Sequence, residues 1–434
     1  MIFSNKADVL LGLQWGDEGK GKIVDYLTPN YDIVARFQGG PNAGHTLEFE
    51  NKKIVLHTIP SGIFRPQCSN IIGNGVVIDP LVFEKELETI ELGPDYIKQN
   101  LLISSGAHLI LPSHRLLDAA MECKKGLEKI GSTLKGIGPT YTDKISRSGI
   151  RISDLYTNEF EKKYNELKKL HITLVESAGY KPERFKIESK SFDEYENQWL
   201  KSLETLKQIS VIDSAHHINN ELNNGKKVLA EGAQGTLLDI DFGSYPFVTS
   251  SNTIAAGACT GLGLAPSRIG EVIGIFKAYC TRVGSGPFPT ELHGIEGEEM
   301  RKAGGEFGAT TGRPRRCGWL DLPALKFAVM INGVTKLVIT KSDVLAVFPN
   351  IKVCTEYRFR GKRVDFSTSA INLNEVEPQL TDFKGWKSDL KNIETFSDLP
   401  FELKDYIKFI EDYVGTPVEI VSTGPGREET IIRK

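Results

Sequence analysis

Residues 12–22, Gly-Leu-Gln-Trp-Gly-Asp-Glu-Gly-Lys-Gly-Lys, constrain the chain more than any other stretch. They continue the apolar run Val9 to Leu13 and lead into Lys20 to Leu27, where Ile23, Val24 and Leu27 recur at helical spacing. A strand, a glycine-rich turn and a helix in that order let several N–H groups converge on one anion, with the positive end of the helix behind them. Gly16-x4-Gly21-Lys22 satisfies most of the phosphate-loop pattern, but Ile23 stands where that pattern wants a hydroxyl for Mg2+. Asp17 is foreign to the pattern as well, because a carboxylate beside phosphate oxygens is costly unless a metal or a proton lies between. Asp17 either takes over the metal or serves as a general base on a bound substrate. The plain alternative is a glycine-rich turn that merely closes a tight corner.

The segments around this loop alternate in the same way. Ile33 to Phe37 reads as a strand closing on Gly39-Gly40-Pro41, Leu47 to Phe49 and Ile54 to Leu56 as a hairpin, and a helix follows Pro80. Two short apolar pieces flank Gly73-Asn74-Gly75 between Asn70 and Ile78. Residues 158–223 are rich in Lys and Glu with apolar residues at three and four, the pattern of amphipathic surface helices. Strands return at Lys227 to Ala230, Glu271 to Tyr279 and Lys336 to Thr340; Ile351 to Phe366 reads as an edge hairpin and Thr416 to Val421 as a last strand. The expected fold is α/β: a large, mostly parallel central sheet with flanking helices, resembling the phosphate-loop NTPases. We read 1–434 as one catalytic domain with a helical elaboration over about 105–225 and an arginine-rich loop at 304–316.

A net charge of −3 over 434 residues offers no global positive field for nucleic acid or an anionic membrane, so any anionic ligand must be held locally. The cysteines at 68, 123, 259, 280, 317 and 354 form no Cys-x-x-Cys pair, and no segment reads as a signal peptide or a membrane span. Free thiols and a reducing, cytoplasmic compartment are expected.

Three further motifs bear on chemistry. Gly39-Gly-Pro-Asn-Ala-Gly-His-Thr46 follows the second strand and should share the crevice of the phosphate loop, where His45 can bond a phosphate oxygen or donate a proton as charge builds. His57 and the His216-His217 pair lack such a setting and read as structural. Thr340-Lys341-Ser342-Asp343 ends a buried strand and resembles the Asn-Lys-x-Asp guanine signature of GTPases. There one carboxylate accepts from both N1–H and the 2-amino group, a contact that adenine cannot make. A switch GTPase is the competing class, yet its Asp-x-x-Gly motif occurs here only as Asp382 to Gly385, after Asp343 and so in the wrong order. Residues 304–316 carry Arg313, Arg315 and Arg316 behind mobile glycines, a set suited to closing on a carboxylate or phosphate. A basic loop touching RNA is the alternative, but no aromatic interleaving supports it.

Trp15 to Lys22, Gly39 to Thr46, Glu231-Gly-Ala-Gln-Gly-Thr236, Val248-Thr-Ser-Ser-Asn252, Gly308-Ala-Thr-Thr-Gly-Arg313 and Ser422-Thr-Gly-Pro425 together resemble the adenylosuccinate synthetase family over essentially the whole chain. The resemblance implies a ligase of AMP biosynthesis that joins IMP and L-aspartate at the expense of GTP, with Mg2+, through a 6-phosphoryl intermediate. It implies Asp17 as base and metal ligand, the Gly44 carbonyl as second metal ligand, and His45, Lys20 and Gln234 as further catalytic groups. GTP would meet Gly16, Glu18, Gly19, Lys20, Gly21, Lys22, Gly44, His45, Thr46, Arg315, Lys341, Ser342, Asp343, Ser422, Thr423 and Gly424. IMP would meet Asp17, Asn42, Ala43, Gly44, His45, Thr133, Gln234, Thr249, Val283 and Arg313, with Arg147 reaching over from the neighbouring subunit of a homodimer. Aspartate would lie under Thr310, Thr311, Gly312, Arg313 and Arg315. The sequence departs from the family pattern at Leu134-Lys135, where glycine and arginine are usual, at Gly426, where an acid is common, and at Pro41.

Overall fold

The computed structural model describes residues 5–50, 52–126, 129–308 and 312–433. One ten-stranded sheet runs through it in the order Thr430–Ile432, Val418–Ser422, Lys336–Thr340, Ile269–Lys277, Ala7–Gly12, Val228–Glu231, Ile33–Arg36, Ser69–Ile72, Leu101–Ser104, Ser210–Ile212. Neighbours are parallel throughout, except that Thr430–Ile432 returns antiparallel along the edge. The first strand of the chain therefore sits in the middle of the sheet, covered on both faces, which is why it reads as an unbroken apolar run.

Alternation along the strands sends side chains to two separate cores. Leu10, Leu229, Ile275 and Val338 pack against Ile23 and Val24 of the helix Lys20–Leu27. Their neighbours Val9, Leu11, Ala230, Phe276, Leu337 and Ile339 face the opposite side, with the helices Leu322–Asn332 and Phe401–Val414. A further core gathers Leu101 and Ile103 with Leu116, Trp199 and Leu203 from the helices Pro112–Lys124 and Phe192–Lys207. Trp199 Nε1 donates to the Ile110 carbonyl at 2.9 Å, so its one polar atom is satisfied inside that core.

Three expectations change. The lysine- and glutamate-rich stretch forms the helices Phe160–Ser177, Phe192–Lys207 and Ser214–Asn223, but Ser210–Ile212 between the last two is a strand that joins the sheet. Three residues are too few to show a period. The hairpin Asn350–Phe359 with Lys362–Val364 lies outside the main sheet, in a smaller one where Asn350–Phe359 pairs with three partners. Val418–Ser422 is followed by one more strand, which hydrogen-bonds back to it. No described helix is long and apolar enough to cross a membrane, and all six cysteines are free.

Candidate active site

A cavity of about 830 Å3 opens across the carboxyl ends of six adjacent parallel strands. In spatial order they deliver Ser422 and Gly424, then Thr340, Lys341 and Asp343, Arg282 and Val283, Trp15 to Lys22, Gln234, and Asn42 to Thr46. The sheet order thus lays the guanine motif at one flank, the phosphate loop in the middle, and the histidine loop at the other flank. This is the crevice that an open parallel sheet provides for ligands.

The phosphate loop is curled by left-handed backbone at Gly16 (φ 87°), Asp17 (φ 61°) and Gly19 (φ 84°). Asp17 holds a conformation that a side chain makes costly, as expected where the fold over-determines a functional residue. Glu18 turns inward: Oε1 accepts from the N–H groups of Gln14 (3.1 Å) and Gly16 (2.9 Å), and Oε2 holds Lys20 Nζ at 2.5 Å. The loop is closely packed from both sides. A Cβ at Gly235 would lie 2.4 Å from the Gln14 carbonyl, and one at Gly21 2.7 Å from His45 Cβ. Only glycine fits at either crossing.

His45 is buried, and its Nδ1 bonds Glu231 at 2.6 Å. Glu231 also accepts from the Ser61 hydroxyl at 2.6 Å and the Ser61 N–H at 2.9 Å, so its carboxylate orientation is fixed. Burial first, then the positive charge of Arg36, lowers the His45 pKa to about 4, leaving the ring neutral with its proton toward Glu231. His45 Nε2, Asn42 Oδ1 and both side-chain polar atoms of Gln234 are buried without protein partners, and all three residues line the cavity. Buried polar atoms are normally paired, so a cluster of such orphans marks where a polar ligand sits.

At the other flank Lys341 (φ 61°) donates to the Gly304 carbonyl at 3.0 Å, and burial raises the pKa of Asp343. Thr340 Oγ1 donates to the Glu18 carbonyl at 2.8 Å, tying this flank to the phosphate loop. Lys22 Nζ donates to Ser422 Oγ (2.8 Å) and to the carbonyls of Gly424 (2.7 Å) and Glu429 (2.8 Å). The Glu429 carboxylate folds back to accept the Gly426 N–H at 2.6 Å. Ser342 and Thr423 are buried beside this corner but do not line the cavity, and each keeps an unpartnered hydroxyl.

Of the remaining candidates, Gly16, Gly19, Gly21, Ala43, Gly44, Thr133, Thr249 and Arg315 line the cavity as well. Arg315 Nε donates to Asp17 Oδ2 at 2.6 Å. Gly312 and Arg313 are exposed beyond the wall, Thr310 and Thr311 lie outside the described residues, and Arg147 is exposed at the end of the helix Ile137–Ser146, away from the cavity. Leu134 keeps the left-handed backbone (φ 55°) that a glycine would adopt freely, and Lys135 pairs with Glu188 at 3.2 Å. The carboxylates of Glu18, Glu231 and Glu306 each accept several hydrogen bonds within the site. Their partners are brought together by the fold, apart from the local contacts of Glu18, and Glu231 was visible beforehand only as part of a motif.

His114, Asp143 and His171 bring three ligand-type atoms within 4.8 Å of one another. The Leu111 N–H donates to His114 Nδ1 at 2.9 Å, which puts the ring proton on Nε2, donating to Asp143 at 2.8 Å. His171 donates to the same carboxylate oxygen at 3.0 Å and faces Ser113 Oγ with its other nitrogen at 2.9 Å. This is a closed hydrogen-bond network in which every ring nitrogen is already used.

The family model described as adenylosuccinate synthetase matches residues 9–431. The adenylosuccinate synthetase of Parabacteroides distasonis is 58 % identical over 428 residues, 99 % of each chain. That of Flavobacterium johnsoniae is 57 % identical over 426 residues, 98 % of this chain and 99 % of its own. The solved structure of fully ligated adenylosuccinate synthetase from Plasmodium falciparum has a TM-score of 0.90 at 38 % identity, covering 99 % of this chain and 100 % of that one.

Lys22 offers a test of the phosphate end. Burial lowers its pKa to about 8, and a bound polyphosphate favours the protonated form. Affinity for a guanine nucleotide should therefore be full below pH 8 and fall above it, by up to ~tenfold per pH unit. Equilibrium titrations at pH 7 and 9 check this, with Lys22→Arg expected to abolish the fall; equal pH dependence in both proteins would contradict it.

Proposed function

The chain belongs to the adenylosuccinate synthetase family and catalyses the GTP-dependent joining of IMP and aspartate in AMP synthesis; from that premise we propose how its residues divide the work. The observation that carries the assignment is the juxtaposition of Asp17 with unpartnered polar atoms of Asn42, His45 and Gln234 in one cavity. Asp17 accepts the N1 proton of IMP, and the 6-oxygen then attacks the γ-phosphorus of GTP while the bond to the β-phosphate oxygen breaks and GDP leaves. The aspartate amine attacks C6 of the 6-phosphoryl intermediate, the C6–oxygen bond breaks with both its electrons going to the departing phosphate, and the proton lost from the amine passes to that phosphate.

His45 supports the first transfer. Its Nδ1 proton is committed to Glu231, so Nε2 is the atom left for the phosphoryl group. An approaching anion raises the pKa of a neighbouring imidazole, so His45 takes a proton from solvent at Nε2 and donates it as a hydrogen bond, while Glu231 stabilises the resulting cation. Gln234 and Asn42 orient the purine, and Thr133, Thr249 and Val283 hold its ribose phosphate side. Lys20, oriented by Glu18, offers its remaining ammonium donors to the phosphates, and the N–H groups from Gly16 to Lys22 cradle them.

Asp17 and the Gly44 carbonyl would hold Mg2+; both line the cavity, and hard oxygen donors of this kind suit that ion. A magnesium ion held there would supply positive charge to offset that of the GTP phosphates. Asp343 accepts from the guanine N1–H and 2-amino group, with the Lys341 stem over the base. Arg315, with Thr310, Thr311, Gly312 and Arg313, receives the aspartate carboxylates. Arg147 completes the IMP site of a second subunit, a reading supported by its exposure beside the 78 % exposed Ile145. We read the enzyme as a single-domain cytoplasmic homodimer, the compartment being one in which its six free thiols stay reduced.

Turnover, followed as the ultraviolet change of the purine, should require IMP, aspartate, GTP and Mg2+ together. Asp343→Asn should lower the preference for GTP over ITP, which lacks the 2-amino group, by at least about tenfold. Unchanged discrimination would remove Asp343 from guanine recognition. Mixing inactive Arg147→Leu and Asp17→Asn subunits should restore activity toward a quarter of the wild-type level, since one site in a mixed dimer is intact. No recovery at concentrations where dimers form would contradict a shared site.

A further inference from the structure

Glu306 stands at the neck of the arginine loop, and its side chain is fully buried behind the cavity wall, not in it. Oε1 accepts from Lys277 Nζ at 2.9 Å and from the Tyr279 hydroxyl, and Oε2 accepts from Arg315 Nη1 at 2.7 Å. Lys277 and Tyr279 are themselves buried, and Lys277 Nζ spends a second donor on Thr281 Oγ1 at 2.7 Å. The backbone repeats the link to Arg315, whose N–H donates to the Glu306 carbonyl at 2.9 Å, and Phe307 bridges Pro314 just inside the loop. Arg315 is thus tied to Glu306 twice, while its Nε edge meets Asp17.

Lys277, Glu306, Arg315 and Asp17 form a row of alternating charges, two positive and two negative. Breaking the contact at the Asp17 end leaves Arg315 still held at Nη1, with the rest of its planar fork open to a new anion. Without the contact at the Glu306 end, a long side chain on a glycine-rich loop would have to be ordered by the ligand itself, and that ordering opposes binding.

We propose that Glu306 is a positioning residue for the reaction: it holds Arg315 so that, once Asp17 is engaged elsewhere, the guanidinium is presented to a carboxylate of the incoming aspartate. The inference rests on the reading of Arg315 as an aspartate-binding side chain. Glu306 itself touches no substrate, so its influence should pass entirely through Arg315.

Glu306→Gln keeps the shape and removes the charge. It should raise the KM for aspartate about tenfold or more, with the KM for IMP within about threefold of wild type. In an Arg315→Gln background the same replacement should change the aspartate KM less than about twofold, because the partner through which it acts is gone. Since Glu306→Gln leaves the Lys277 ammonium without its buried counter-charge, the comparison is repeated with Lys277→Met/Glu306→Gln, which removes both charges at once; thermal unfolding reports whether each variant is folded. The same pattern in the charge-balanced pair is expected. Losses that multiply in the Arg315→Gln background, or KM values that rise alike for all substrates, overturn the proposal alone. An aspartate KM indifferent to Arg315→Gln in an otherwise active enzyme overturns the reading of Arg315, and the proposal with it.

Discussion

Glu18 turns its carboxylate back under the loop it belongs to, taking the N–H groups of Gln14 and Gly16 on one oxygen and the Lys20 ammonium on the other. Burying a carboxylate is costly without such partners, so these contacts fix the path of the chain from strand to helix. That path forces Asp17 into left-handed backbone and turns its side chain outward to the cavity. The loop that lacks a hydroxyl at Ile23 therefore presents two acids in succession, Glu18 buried among hydrogen-bond donors and Asp17 lining the cavity. Thr340 binds the Glu18 carbonyl, so the guanine flank is registered on the same residue.

The rest of the site repeats this arrangement of an inner carboxylate ordering an outer functional group. Glu231 orders His45, and Glu306 orders Arg315. In each case the inner acid is fully buried and accepts several hydrogen bonds, while the group it holds lines the cavity. Such pairs contribute little net stability, since desolvation offsets attraction. What they provide is direction: a histidine whose free nitrogen is set in advance, and a guanidinium with one end already anchored.

Much of this was legible in the sequence because the deciding signals were local. The helix Lys20–Leu27 and the strand Lys336–Thr340 fall on the residues their periodicity marked, and the loops at 16–22, 39–46 and 340–343 converge because parallel strands share a carboxyl edge. The inner acids were not legible as such. Glu231 meets His45 across 186 residues of chain, a distance over which no spacing rule operates. The strand Ser210–Ile212 is too short to carry a period, and the turn in which Glu429 accepts the Gly426 N–H is displayed only by the fold.

On the proposal above, Asp17 would both hold the metal and take the proton; in the structure its carboxylate is paired with Arg315. The most direct measurement is a crystal structure with IMP, Mg2+ and a non-hydrolysable GTP analogue. It should find an Asp17 oxygen ~2.1 Å from the metal, near N1 of the purine, with Arg315 withdrawn from Asp17 and still bonded to Glu306. A metal held by other groups, with Asp17 still paired to Arg315, would contradict it.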